Sequence, residues 1–228
     1  MGWFSAKGPK FTVAVVGLGT KSLSPKEFGY FCIRMSAEAT KGQLDQLFTG
    51  DGSSFETIRQ LPLAKSIATL PRFAHAVFTL RSAAFYIYHA NWNLKARREV
   101  SIDMYVGVRD GIADIRLDDN NPLSEHNQGY FFGLFGRFMD AIGRDAAKAK
   151  HSSGAVGVFE SPSTKVLLEA LRTAYDDVPD FDGLNADNVV GAMLLLTLLN
   201  DHVGTLARTI TEEQMRITLN DPQASRDG

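Results

Sequence analysis

Residues 185–210 read NADNVVGAMLLLTLLNDHVGTLARTI, and this stretch decides the fold. Val189, Val190, Ala192, Met193, Leu194, Leu195, Leu196, Leu198 and Leu199 place apolar side chains on every face of a helix, and such a helix is normally enclosed by others. Its unbroken apolar part falls well short of the ~20 residues that a bilayer span requires. Asn200, Asp201 and His202 close it. The stretch therefore predicts a central core helix in a water-soluble body.

Composition agrees. Hydrophobic residues make up 44% and charged residues 22%, enough apolar surface for one sizeable core and too little charge for long disorder. The formal net charge of -2 gives no reason to expect nucleic acid or an anionic membrane as partner. Cys32 is the only cysteine, which excludes an intrachain disulfide and a cysteine-based zinc site within one chain and fits a cytoplasmic protein. The apolar run 11–18 behind Lys7 and Lys10 lacks the length and small-residue pattern of a secretory signal, and Ala6 stands where a myristoylation motif has Ser or Thr.

Upstream of the core stretch, Phe11 to Val16 is rich in β-branched residues and predicts a short strand. Ser24-Pro25-Lys26-Glu27 carries the residue types of a capping box, so a helix starts at Pro25. Lys41-Gly42 predicts its end, with a further short helix over 43–48 and another over 55–61. Leu63 to Leu70 reads as a helix, and Pro71 opens a long one through about Asn91, with Thr69 as its cap. Over 100–117 two patterns compete: Val100, Ile102, Met104, Val106 and Val108 alternate as a strand would, and Asp110-Gly111 signals a hairpin, while Ile112 and Ile115 also suit a helix. The hairpin is the reading adopted. A glycine-punctuated helix follows over 130–150, then one opened by Ser161-Pro162, and residues 211–219 read as a last helix.

The chain thus divides into an N-terminal arm or strand over 1–23, a single helical domain over 24–219 and a disordered tail over 220–228. The fold class is mainly α: an irregular multi-helix bundle around helices 71–91, 130–150 and 187–210, with a minor β element consisting of the N-terminal strand and the hairpin near 100–117.

No motif supplies chemistry. Gly17 to Ser22 follows a strand, but Thr20 and Val15 occupy positions where a phosphate-binding P-loop needs glycine, and Ser22 breaks the dinucleotide fingerprint, so the segment reads as a loop or arm. His75 and His89 share a helix face about 21 Å apart, too far to ligate one ion, and no His-Glu-x-x-His pattern occurs; neither metal nor cofactor is expected. Cys32 falls on a packed stripe and reads as a small buried hydrophobe.

One cluster does resemble a contact surface in its residue types. Tyr86, His89, Trp92, Arg97 and Arg98 combine aromatic rings with guanidinium groups, the types enriched where proteins meet. The sequence therefore predicts a non-catalytic helical interaction or assembly protein, acting through a protein partner or by self-association as a homo-oligomer. The alternative is a small-molecule-binding protein or enzyme with a pocket between the long helices, contacted by His89, Asp201 and His202.

Overall fold

The computed structural model describes residues 8–15, 19–49, 56, 59–118, 123–151, 161–178 and 215–222. The core stretch 185–210 and residues 55, 57 and 58 of the 55–61 segment lie outside them. Among the described residues the fold is mainly α, with six helices and a small three-stranded antiparallel sheet.

The helices are α1 (Pro25–Thr49), α2 (Pro62–Thr69), α3 (Pro71–Trp92), α4 (Arg98–Ala113), α5 (Glu125–His151) and α6 (Pro162–Arg172). The strands are β1 (Lys10–Val15), β2 (Gly19–Leu23) and β3 (Met215–Asn220), in the order β2-β1-β3. No described helix is long and apolar enough to cross a membrane.

α3 occupies the middle. It is buried without a break from Ala76 to Ala84, and Ala74, Ala76, Ala83, Ala84 and Ala90 are small enough for neighbours on several sides to approach. α1, α5 and α6 all pack against it. The predicted caps hold where the box is complete: Glu27 N–H donates to Ser24 Oγ (3.3 Å), and the Glu27 carboxylate accepts from Ser24 N–H (2.7 Å). Thr69 does not cap α3; its hydroxyl donates to the Ser66 carbonyl at 2.6 Å, and Leu70 sits at the cap position without a side-chain bond.

Three sequence readings are corrected. First, α1 does not stop at Lys41-Gly42 but continues to Thr49, because Leu44 is buried and a glycine in an exposed helical position costs only about 1 kcal/mol. Second, the 100–117 hairpin is instead α4. Its buried residues are Val100, Met104, Gly107, Val108, Gly111 and Ile112, a helical stripe in which two glycines are interior positions. Third, residues 215–220 are β3 rather than the end of a helix.

The sheet explains the third correction. β3 pairs with β1 in the register Val13↔Ile217 and Phe11↔Leu219, and Phe11, Val13, Met215 and Ile217 are buried. Such alternation marks a half-buried sheet, here seated on α1 through the stacked rings of Phe11 and Phe28, whose centroids are 4.1 Å apart. The 17–22 segment, read as a loop or arm, contributes β2 from Gly19 onward, paired with β1 from Val15↔Gly19 to Phe11↔Leu23.

α1 packs most extensively on α4, and glycine sets their separation. A Cβ on Gly29 would lie 2.0 Å from the Met104 carbonyl oxygen, and one on Gly107 would lie 1.9 Å from that of Lys26. Gly111 meets the Ile33 side chain, which would stand 2.8 Å from an added Cβ. On α5, by contrast, nothing lies within 4 Å of a Cβ on Gly129, Gly133 or Gly136.

Gly107→Ala is therefore expected to cost about 3 kcal/mol or more, since backbone atoms cannot move aside as side chains do. Gly136→Ala should stabilise by about 0.5–1 kcal/mol through lower unfolded-state entropy. Denaturant unfolding of the two variants measures both; a Gly107→Ala protein as stable as its parent would remove backbone proximity as the constraint.

Candidate functional site

The aromatic and basic cluster lies where α3 ends and α4 begins. Asn93 caps α3, and Lys95 turns the chain with a left-handed φ of 54°. Asn91 then holds the two helices together: its amide donates to the Tyr105 hydroxyl (3.2 Å) and its carbonyl oxygen accepts from Ser101 Oγ (2.8 Å).

The five cluster residues separate in this frame. Trp92 is 67% exposed, its ring 6.0 Å from that of Tyr88, and Gly143 on α5 leaves room beside the Tyr88 edge. Arg98 is exposed as well. Tyr86 is only 2% exposed, so its ring belongs to the core and not to an outer surface. His89 is half-buried; its Nδ1 bonds the Asn93 amide at 2.8 Å, and burial holds its pKa below the usual imidazole value, so it is neutral at pH 7. Arg97 turns inward: Nε donates to Asp221 at 2.7 Å and Nη2 at 3.2 Å, a two-pronged pair with a nearly buried carboxylate that ties the residue after β3 to the start of α4. Asp201 and His202 lie outside the described residues, so His89 is the one member of that trio with a described position.

A cleft of about 560 Å³ lies elsewhere, between α1, the start of α3 and the end of α4. Leu44, Phe48, Pro71 and Ile115 give it apolar walls. Its lining also carries four cationic and four anionic side chains, together with His75 and Thr79 on α3. His75 Nε2 lies 2.8 Å from the Ala37 carbonyl oxygen, which can only accept, so that nitrogen holds the ring proton. Sequence reading missed this site because it ended α1 at Lys41. The signal was present in Arg34, Glu38, Lys41 and Asp45, whose spacings of four, three and four put all four on one helical face once the helix is continuous.

A second polar group, also unforeseen, is structural. Arg81 on α3 is 4% exposed and donates to Ser163 Oγ at 3.3 Å, while Asp145 on α5 accepts from Ser161 Oγ (2.9 Å) and from the Ser163 backbone N–H (3.1 Å). Burial pulls the Arg81 guanidinium down to about 10, with Asp145 opposing that shift, so it stays charged at neutral pH. The carboxylate thereby caps α6, and its charge favours that of the interior cation. Among the described residues, no group of three or more His, Cys, Asp or Glu side chains could hold a metal ion.

Burial also holds three acids neutral: the Cys32 thiol and the Tyr86 phenol are pushed far up, and Tyr175 is raised to about 12. A raised pKa means that the unfolded chain loses these protons first, so the associated stability is intact below the ordinary values of 9.0 and 10.0 and declines as pH climbs past them. Arg81 acts in the opposite sense only above about 10, and Tyr105 and Tyr30, both raised, add to the fall. Denaturant unfolding across pH 8 to 11 should show falling stability, and Cys32→Ser should not share the earliest part of that fall. A flat profile would contradict the enclosure of these groups. Set against known proteins, the chain matches no family model, and no curated protein or solved structure is significantly similar to it.

Proposed function

We propose that this chain is a non-catalytic helical interaction protein that meets a protein partner, or a second copy of itself, through the surface where α3 ends and α4 begins. The observation that carries this reading is the exposure of Trp92, 67%, beside a helix junction already fixed by Asn91. Indole and aliphatic surface left in water at a rigid position is the kind of anchor that dominates protein contacts. Ile102, one residue beyond Ser101, is 52% exposed and adds to it. Arg98 supplies an exposed guanidinium, whereas Tyr86 and Arg97 support the surface from within. A cytoplasmic setting fits a single cysteine that is buried and unpaired.

A second reading, ligand binding between helices, is favoured by the cleft bounded by α1, α3 and α4, whose size is that of a small-molecule site. In that reading His75 replaces His89 as the imidazole contact.

Trp92→Ala tests the first reading. Its unfolding free energy should stay within about 0.5 kcal/mol of the parent's, as for other exposed substitutions. Partner capture, or self-association seen as mass in solution, should weaken by about tenfold or more, the scale of an aromatic anchor. A chain that stays monomeric at high concentration and captures nothing, with or without Trp92, would end the proposal.

A further inference from the structure

The cleft holds an arrangement that the interaction reading does not use. Arg34, Glu38, Lys41 and Asp45 form a row of alternating sign along α1, successive members one helical turn apart. Other charges in the lining are already engaged: Asp114 accepts from the Tyr30 hydroxyl at 2.6 Å, and Arg116 donates to the Ala113 and Ile115 carbonyls at 3.1 and 3.3 Å. Among the described residues, the Glu38, Lys41 and Asp45 side chains enter no ion pair.

The floor gives an independent indication. Thr79, one turn beyond His75, is fully buried, belongs to the lining, and has no hydrogen-bond partner for Oγ1. Buried hydroxyls are usually satisfied, and of the three unpartnered ones among the described residues, Ser36, Thr40 and Thr79, only Thr79 lines the cleft, where a ligand's polar atom would find it. On the His75 ring, Nε2 is committed to the Ala37 carbonyl, which leaves Nδ1 as the nitrogen for a further polar contact.

Charge decides the ligand class. An anion or a cation alone would meet one repulsive neighbour for each attractive one along the row, and an uncharged apolar molecule would gain nothing from these four side chains, which are exposed to solvent. We infer that the cleft binds a small amphipathic zwitterion, an aliphatic body with a free ammonium and a free carboxylate, as in a short apolar peptide. Its ammonium is placed at Glu38 or Asp45, its carboxylate at Lys41 or Arg34, and its body against Leu44, Phe48, Pro71 and Ile115. This inference rests on the ligand-binding reading of the cleft.

Calorimetric titration of the full chain with four probes tests it: trileucine with free termini, the same tripeptide acetylated and amidated, octanoate, and octylamine. Free trileucine should bind about tenfold tighter than each of the others, and Lys41→Glu should weaken it by about tenfold. Thr79→Val should unfold at or above the parent's temperature, because it deletes an unsatisfied group, yet bind trileucine more weakly. Octanoate, octylamine or the blocked tripeptide matching free trileucine would overturn the zwitterion assignment while sparing the cleft as a ligand site. So would undiminished binding by Lys41→Glu, and undiminished binding by Thr79→Val would remove the hydroxyl's role. Binding by none of the four probes would overturn the cleft reading itself.

Discussion

Backbone touching backbone, where α1 crosses α4, is the constraint on which the described structure depends. Helices with ordinary side chains between them stand 8–10 Å apart. Gly29 and Gly107 remove that spacer at the crossing, and Gly111 lets the Ile33 side chain settle onto α4 one turn further along. The position of α4 is then fixed closely enough to define the cleft, because the groove runs between α1 and α3 and is closed by the residues around the end of α4. Lys26–Asp110, paired at 2.8 Å but exposed, accompanies this contact and adds little to it.

The opposite side of α3 is specified by polarity. A guanidinium enclosed at Arg81 is costly unless its charge is answered, and Asp145 and the start of α6 must converge there to answer it. Apolar packing alone tolerates sliding of helices along α3; a buried charge with directed donors does not. The two devices divide the labour: glycines set a distance on one side, and a helix start hydrogen-bonded to Arg81 and Asp145 sets an orientation on the other.

How much of this the sequence disclosed follows from the range of the interactions involved. Local signals were readable: Ser24 to Glu27 as a box, Pro71 as a first-turn residue, and Ser161 as the opening of a helix, where its hydroxyl accepts from Thr164 N–H at 3.3 Å. Tertiary ones were not. Gly111 looks like a turn residue until a second helix is laid across it, whereas the alternation of Met215, Ile217 and Leu219 was a local strand signal that the helical reading passed over. The candidate sites divide the same way. Trp92 was singled out from its type and neighbours, and its ring is exposed, whereas the charge row of α1 was hidden by an apparent stop at Gly42, where an added Cβ would meet nothing within 4 Å. Tyr86 shows the converse error, an aromatic counted as surface because composition carries no inside and outside.

The pairing of β1 with β3 has a kinetic meaning. Residues 10–15 emerge from the ribosome roughly 200 residues ahead of 215–220, and one edge of β1 finds its complement only when those have followed. Joining them closes a loop of roughly 200 residues, an entropic step that local helix formation does not share. Until then β1 has β2 alone beside it, and Phe11 and Val13 lack their cross-strand neighbours Leu219 and Ile217. The last few residues of the ladder thus act as a latch on the finished molecule, and a nascent chain waiting for them presents an open strand to its neighbours on the polysome.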